Sequence, residues 1–157
     1  MFEFKRMTAT ALALALALPL ALPQAALADE AAIGARKAQF QLFAFNLGVL
    51  GSMAQGRVEY DAEAAQRAAD HLFNLTRFYN PALWPEGSDN ASAENTRALP
   101  AIWENLEDFT QRYGALQTGA EAMQAAAGTD LASLQGALGA LGGACGACHD
   151  NYRAPAP

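Results

Sequence analysis

Two long stretches of the sequence repeat apolar residues at alternating steps of four and three, and that period leaves the chain little choice of fold. The first stretch holds Ile102, Leu106, Phe109, Tyr113, Leu116, Ala120, Met123 and Ala127. The second holds Leu131, Leu134, Leu138, Leu141, Cys145, Cys148 and Tyr152. Such steps put side chains on one face of an α-helix, so each stretch predicts an amphipathic helix facing a core. The earlier one is expected to start near Pro100, a residue favoured in a first turn, and to end at Gly128. The later one begins at Thr129 or Asp130 and is stopped by Pro155 and Pro157. Two further helices are expected upstream, from about Ala31 to Met53 and from about Ala62 to Phe78. Gly56 closes the first of these and Asp61 caps the second, which carries Leu72, Leu75 and Tyr79 on one side. Pro81, Pro85, Gly87, Ser88, Asp89 and Asn90 then mark a long loop. Ala and Leu dominate the 52% of apolar residues, while Val, Ile and Thr are sparse, so an all-β fold is excluded. Four helices of roughly 17 to 25 residues with mostly short connections make an all-α, antiparallel four-helix bundle.

The first helix is apolar on two sides. Ile33, Phe40, Phe43, Leu47 and Leu50 form one stripe, and Ala38, Leu42, Phe45 and Val49 form another. An offset of two residues at about 100° per residue sets the stripes on nearly opposite faces. Either the second stripe is a homodimer interface, or the helix is sandwiched inside the monomer. The last helix has a different peculiarity. Gly136, Gly139, Gly142, Gly143 and Gly146 each weaken it by up to about 1 kcal/mol against Ala. Either something flat and large lies close to its backbone, or a packed bundle simply tolerates them.

The chain opens with Lys5 and Arg6, an Ala/Leu run from Ala9 to Leu22, Pro23, and the small-x-small triplet Ala26-Leu27-Ala28. This is the pattern of an export signal cut after Ala28, the alternative being an uncleaved anchor. Residues 29–157 then form one domain of 129 residues with 8 basic and 15 acidic side chains, a net charge of −7. That balance excludes a nucleic-acid binder, which needs a basic face to replace phosphate counterions. The destination is the periplasm. No second apolar run is expected to reach membrane-spanning length, so no membrane partner is expected of the mature form. The glycosylation sequons at Asn74 and Asn90 are read as chance.

Within the last helix stands Cys145-Gly146-Ala147-Cys148-His149, the pattern C-x-x-C-H. Two thiols one helical turn apart can add to the two vinyl groups of a haem, and the adjacent imidazole can then reach the iron. A thiol-redox C-x-x-C would follow a strand, and none is expected. A zinc site would need four ligands, and His71 is the only other His or Cys. A disulfide is disfavoured at this spacing on a helix. The motif therefore implies one haem c on two thioether bonds, with His149 as axial ligand.

The sequence resembles the cytochromes c′, the class II c-type cytochromes, over nearly all of residues 29–157. The resemblance rests on C-x-x-C-H close to the C-terminus, with Cys145-x-x-Cys148-His149-Asp150-x-Tyr152-Arg153 its most specific part. Further matches are Arg36 followed four residues later by Phe40, Gly56 with Tyr60-Asp61, the Gly87-Ser88 loop, and Ile102-Trp103. Lys37 departs from the family, which often has Gln or Glu there. The resemblance implies that Phe40 covers the iron opposite His149, and that Arg153 sits near the proximal haem edge. A helix-dipole role is the alternative for Arg153. Arg36 is a candidate partner for a haem propionate, or else an exposed Arg, with Lys37 and Thr96 as weaker candidates. Trp103 and Phe109 are read as packing around the haem.

Phe40 cannot ligate iron. Met53 lies thirteen residues further along, about 20 Å down the helix axis, which is too far if Phe40 covers the metal. Met123 is read as core filler, and His71 as a solvated surface residue. The iron is thus expected to be five-coordinate and high-spin, in an apolar distal pocket that offers no hydrogen-bond donor. Such a site disfavours stable dioxygen carriage and suits nitric oxide, with carbon monoxide as a second ligand. The alternative is an electron-transfer cytochrome serving an unidentified redox partner. No acid/base pair or nucleophile constellation appears, so no enzyme activity is expected.

Overall fold

The computed structural model describes residues 24–156. Five α-helices follow one another: α1 (Gln24–Ala54), α2 (Ala62–Thr76), α3 (Ala101–Glu104), α4 (Leu106–Ala126) and α5 (Leu131–Tyr152). A 3-10 turn at Pro81–Leu83 lies in the long connection after α2. α1 packs on α2 and α5, and α4 packs on α2 and α5, so the four long helices close into a bundle. The expected leader lies outside the described residues as far as residue 23, and its expected cut after Ala28 falls within the first turns of α1.

Local chemistry sets the helix ends. Asp61, Asn105 and Asp130 each accept the N–H of the residue three positions on, at 3.0, 3.2 and 2.7 Å. These bonds satisfy donors that the first helical turn leaves without a partner. At the end of α1, Gly56 takes φ +67°, a conformation open to a residue without Cβ, and its N–H returns to the Met53 carbonyl at 3.0 Å.

One expected helix divides in two. The periodicity predicts an unbroken helix from Pro100 to Ala127, but Asn105 takes φ −143°, ψ 64° and separates α3 from α4. Its side chain caps α4 instead of continuing α3, the local competition that Asn offers a helix. Leu106, expected in the apolar stripe, is consequently exposed at the first position of α4.

Two apolar clusters form. The larger packs Phe43, Leu50 and Met53 of α1 against Ala65, Ala69 and Leu72 of α2, Met123 of α4, and Leu134 and Leu141 of α5. The smaller joins Ile102, Phe109 and Tyr152 to Trp84 and Trp103. Small residues bring α4 and α5 together. A Cβ on Gly119 would stand 3.2 Å from the Leu141 Cα, so glycine permits this approach.

The two stripes of α1 have different fates. Ile33, Phe43 and Leu50 are buried, with Phe40 and Leu47 half-buried beside them. On the second stripe Leu42 is 50% exposed, Phe45 is 68% exposed and Ala38 is exposed, while Val49 is half-buried against the larger cluster. Within one chain the sandwich alternative therefore fails for all of the stripe but Val49. Along α5, a Cβ at 136, 139, 142, 143 or 146 would meet no protein atom within 4 Å, so no neighbouring helix requires glycine there. Finally, α5 is long and apolar enough to cross a membrane by length and composition, contrary to the expectation that no such second run exists. Ala and Gly supply much of that apolarity, and the helix buries Leu134, Leu141 and Tyr152 in the bundle.

Candidate functional site

A cavity of about 400 Å³ lies where the two apolar clusters meet, and all four long helices line it. Phe43, Leu72 and Leu141 reach it from the larger cluster, and Ile102, Phe109 and Tyr152 from the smaller. Its volume falls in the range of cofactor sites. Cys145, Cys148 and His149 form part of the α5 wall, and Phe40 part of the α1 wall. The motif and the residue expected above the iron thus meet in one chamber, although 105 positions separate Phe40 from Cys145.

Burial tunes these groups. It pushes the Cys145 thiol up, with the backbone and the Arg153 charge pulling the other way. Cys148 is likewise raised by burial and opposed chiefly by Arg112. His149 is driven below its ordinary value, first by burial and then by the charges of Arg153 and Arg97, against Asp150. A neutral imidazole at neutral pH is the form that binds iron. Among the described residues no three His, Cys, Asp or Glu side chains gather as a metal cluster. A wall that offers two thiols and one imidazole suits a macrocycle that brings its own four nitrogen donors. The chamber fits that body: its walls are largely apolar and aromatic, and Arg36, Lys37, Arg97 and Arg153 supply cations for carboxylates.

Phe40 is half-buried and sits edge-on to two rings, Phe43 at 5.3 Å and Trp84 at 6.3 Å. Trp84 had no periodicity to announce it. It lies just after the 3-10 turn, packs edge-on to Phe109 at 4.7 Å, and sits beneath the Arg36 guanidinium at 4.9 Å. A Trp between two prolines is itself a signal, since so large a ring needs a place to be buried. Trp103, expected in the pocket, does not line it. It stands behind Trp84 and donates from Nε1 to the Trp84 carbonyl at 3.1 Å. Phe109 does line it.

Arg36 is buried rather than exposed. Its Nη1 donates to Ser88 Oγ at 2.7 Å and to the Leu83 carbonyl at 3.2 Å. Its Nη2 donates to Thr96 Oγ1 at 2.7 Å and to the Ser88 carbonyl. One guanidinium therefore pins three points of the long connection to α1, which accounts for the Gly87-Ser88 signal: Gly87 turns at φ +81° and presents Ser88 inward. Lys37 is exposed and donates from Nζ to the Asn95 carbonyl at 2.9 Å.

Arg153 does not continue the helix face of His149. It leaves α5 in extended backbone (φ −128°, ψ 122°) and forms an isolated antiparallel bridge with Ala98. Its side chain still lines the cavity beside Arg97. The remaining ligand candidates stand elsewhere. His71 is exposed, and Met53 and Met123 are buried in the larger cluster. Tyr113 lines the cavity, but burial pushes its hydroxyl up to about 12, so it stays protonated.

Comparison with known proteins follows from this geometry. The family described as Cytochrome C' matches residues 31–153. Cytochrome c-554 of Cereibacter sphaeroides is 48% identical over 145 residues, covering 92% of this chain and 95% of that protein. Cytochrome c' of the same organism is 37% identical over 135 residues, covering 85% and 91%. The solved structure of cytochrome c' from Rhodobacter Spheriodes superposes with a TM-score of 0.79 at 34% identity, over 82% of this chain and 98% of that one. That from Thermochromatium tepidum gives 0.73 at 33% identity, over 81% and 97%. The chain belongs to the cytochrome c′ family of four-helix-bundle proteins that carry covalently attached haem c.

Proposed function

We propose that this protein binds small gas ligands, nitric oxide foremost and carbon monoxide second, at a haem iron whose sixth position is open. Cys145 and Cys148 hold the haem through thioether bonds, and His149 is the one protein ligand to iron. One observation carries the reading. Among the described residues no Met, and no His besides His149, lines the cavity, while the Phe40 ring does. A phenyl ring over the iron gives dioxygen no hydrogen bond and leaves ligands that bond strongly to iron unaided. Arg36, Lys37 and Thr96 stand on the cavity wall as partners for propionates, and Arg153 stands on the wall that carries His149. The chain acts as a binding protein that scavenges nitric oxide in the periplasm, after removal of residues 1–28. It works as a homodimer through the exposed α1 stripe.

The test is the visible spectrum of the purified ferrous protein, with and without nitric oxide. A broad high-spin spectrum that changes on adding the gas is expected. A sharp low-spin spectrum in the resting ferrous state would overturn the open sixth site. A second reading, electron transfer, draws on the mouth of the cavity. Lys37, Arg97 and Arg153 make no carboxylate ion pair among the described residues and could meet an acidic redox partner.

A further inference from the structure

The C-x-x-C-H turn is gripped from outside by a polar network that the haem chemistry does not use. Arg112 of α4 donates from Nη1 to the carbonyl of Ala147 at 2.8 Å. Ala147 lies between the two cysteines and two residues before His149, and the Asn151 amide donates to the same carbonyl at 3.0 Å. Behind Arg112, Asp108 Oδ2 accepts from Arg112 Nε and from the Tyr152 hydroxyl, each at 2.5 Å. The guanidinium also lies 5.9 Å from the centre of the Tyr152 ring. Tyr152 is itself wedged edge-on against Phe109 at 5.4 Å, and its carbonyl accepts from the Leu99 N–H at 3.0 Å.

We infer that Asp108, Arg112 and Tyr152 form a positioning network that sets how the turn carrying Cys148 and His149 is presented to the haem. The reasoning starts from the ends of α5. A helix frays at its last turn, where carbonyls lack partners, and His149 stands in that turn. Two thioether bonds fix the cysteines but leave the backbone between and beyond them free to tilt. Arg112 restrains that tilt by holding the Ala147 carbonyl, and Asp108 restrains Arg112 with a charge-assisted bond. Tyr152 ties the last residue of the helix to the same carboxylate oxygen. The network therefore grips the turn on both sides of His149, at positions 147 and 152. Arg112 and Tyr152 also line the cavity, so the grip and the haem wall are parts of one structure. Only the ligand side of such a site is shown by the C-x-x-C-H motif, and the orientation of an axial imidazole depends on what holds its backbone.

The inference rests on His149 as the axial ligand, and the test separates the two claims. Covalent haem on the purified protein is first checked by mass. The proton resonances of the His149 ring, shifted by the iron in the ferric cyanide adduct, then report its orientation. Arg112→Ala should shift these resonances strongly and speed hydrogen exchange of the amides of residues 150–153 about tenfold, the order expected for losing a charge-assisted bond. Arg112→Lys keeps the charge but cannot hold Asp108 and Ala147 together, and it should give nearly the same shift. Tyr152→Phe keeps the packed ring and should give a smaller shift in the same direction. Variants that carry haem and melt lower, with His149 resonances unmoved, would overturn the positioning role alone. A wild-type protein without covalent haem would overturn the axial-ligand reading, and the inference with it.

Discussion

Replacing Phe40 with Ala tests the distal side of the proposed site most directly. The ring makes edge contacts with Phe43 at 5.3 Å and Trp84 at 6.3 Å, each worth roughly 0.5–1.5 kcal/mol beyond burial. Fully buried Phe→Ala changes cost about 3–5 kcal/mol, but this ring is half-buried and borders a cavity. Its loss should therefore cost less, about 2 kcal/mol, because part of its surface faces a chamber rather than packed neighbours. The same contacts set the barrier to ligand entry. A ligand that must swing the ring away forfeits both, about 1–3 kcal/mol, which is roughly 5- to 150-fold in rate. Carbon monoxide association, followed by flash photolysis of the ferrous protein, should accelerate by about one to two orders of magnitude in Phe40→Ala. A comparably destabilised variant away from the cavity, Leu75→Ala, controls for general loosening and should leave the rate unchanged. Equal rates in wild type and Phe40→Ala would mean that Phe40 is ordinary packing and that another group covers the iron.

Gly139→Ala should raise stability by about 0.5–1 kcal/mol, since the new methyl meets no atom within 4 Å and the helix gains propensity; a lower melting temperature would contradict this. Leu42→Glu should yield monomers in sedimentation, because burying an unpaired charge in the interface costs several kcal/mol. If the wild type sediments as a monomer at micromolar concentration, the exposed stripe of α1 is not an interface. Hydrogen bonds from Gln124 and Gln66, each 2.9 Å, hold the Asp70 carboxyl below the usual carboxylate range. A depressed value adds stability above the unfolded-state value and loses it as pH falls through the folded one. The melting-temperature gap between wild type and Asp70→Asn should thus be full above about pH 5 and shrink as pH falls through the lowered folded-state value. A gap independent of pH would refute the charge-based account.

Much of this protein can be read from residue types along the chain. A 4-3 alternation is a local property, and it located the long helices and the faces that meet in the core. C-x-x-C-H is equally local, since two thiols and an imidazole within five residues carry their chemistry wherever the chain places them. His71 and Met123 follow from the same logic: one lies on a polar face and the other on an apolar stripe. The break at Asn105 escaped this reading because the apolar period runs through it unchanged, and only the side chain's bond to the Asp108 N–H ends one helix and starts another.

What the tertiary structure alone decided lies in contacts between segments far apart in the chain. In the sequence Arg36 is exposed or propionate-facing, and only its bonds to Ser88 and Thr96, 52 and 60 positions away, show that it also anchors the long connection. That connection has no period to reveal where Trp84 points, and Trp84 backs Phe40 and displaces Trp103 from the cavity wall. The network behind Ala147 joins α4 to the end of α5 through Asp108 and Tyr152, 44 positions apart. Helical period follows from backbone hydrogen bonds four residues long and survives in the sequence as a pattern. A cavity is the space left where separate helices fail to meet, and its position depends on the volumes and angles of all of them together, which no single segment encodes.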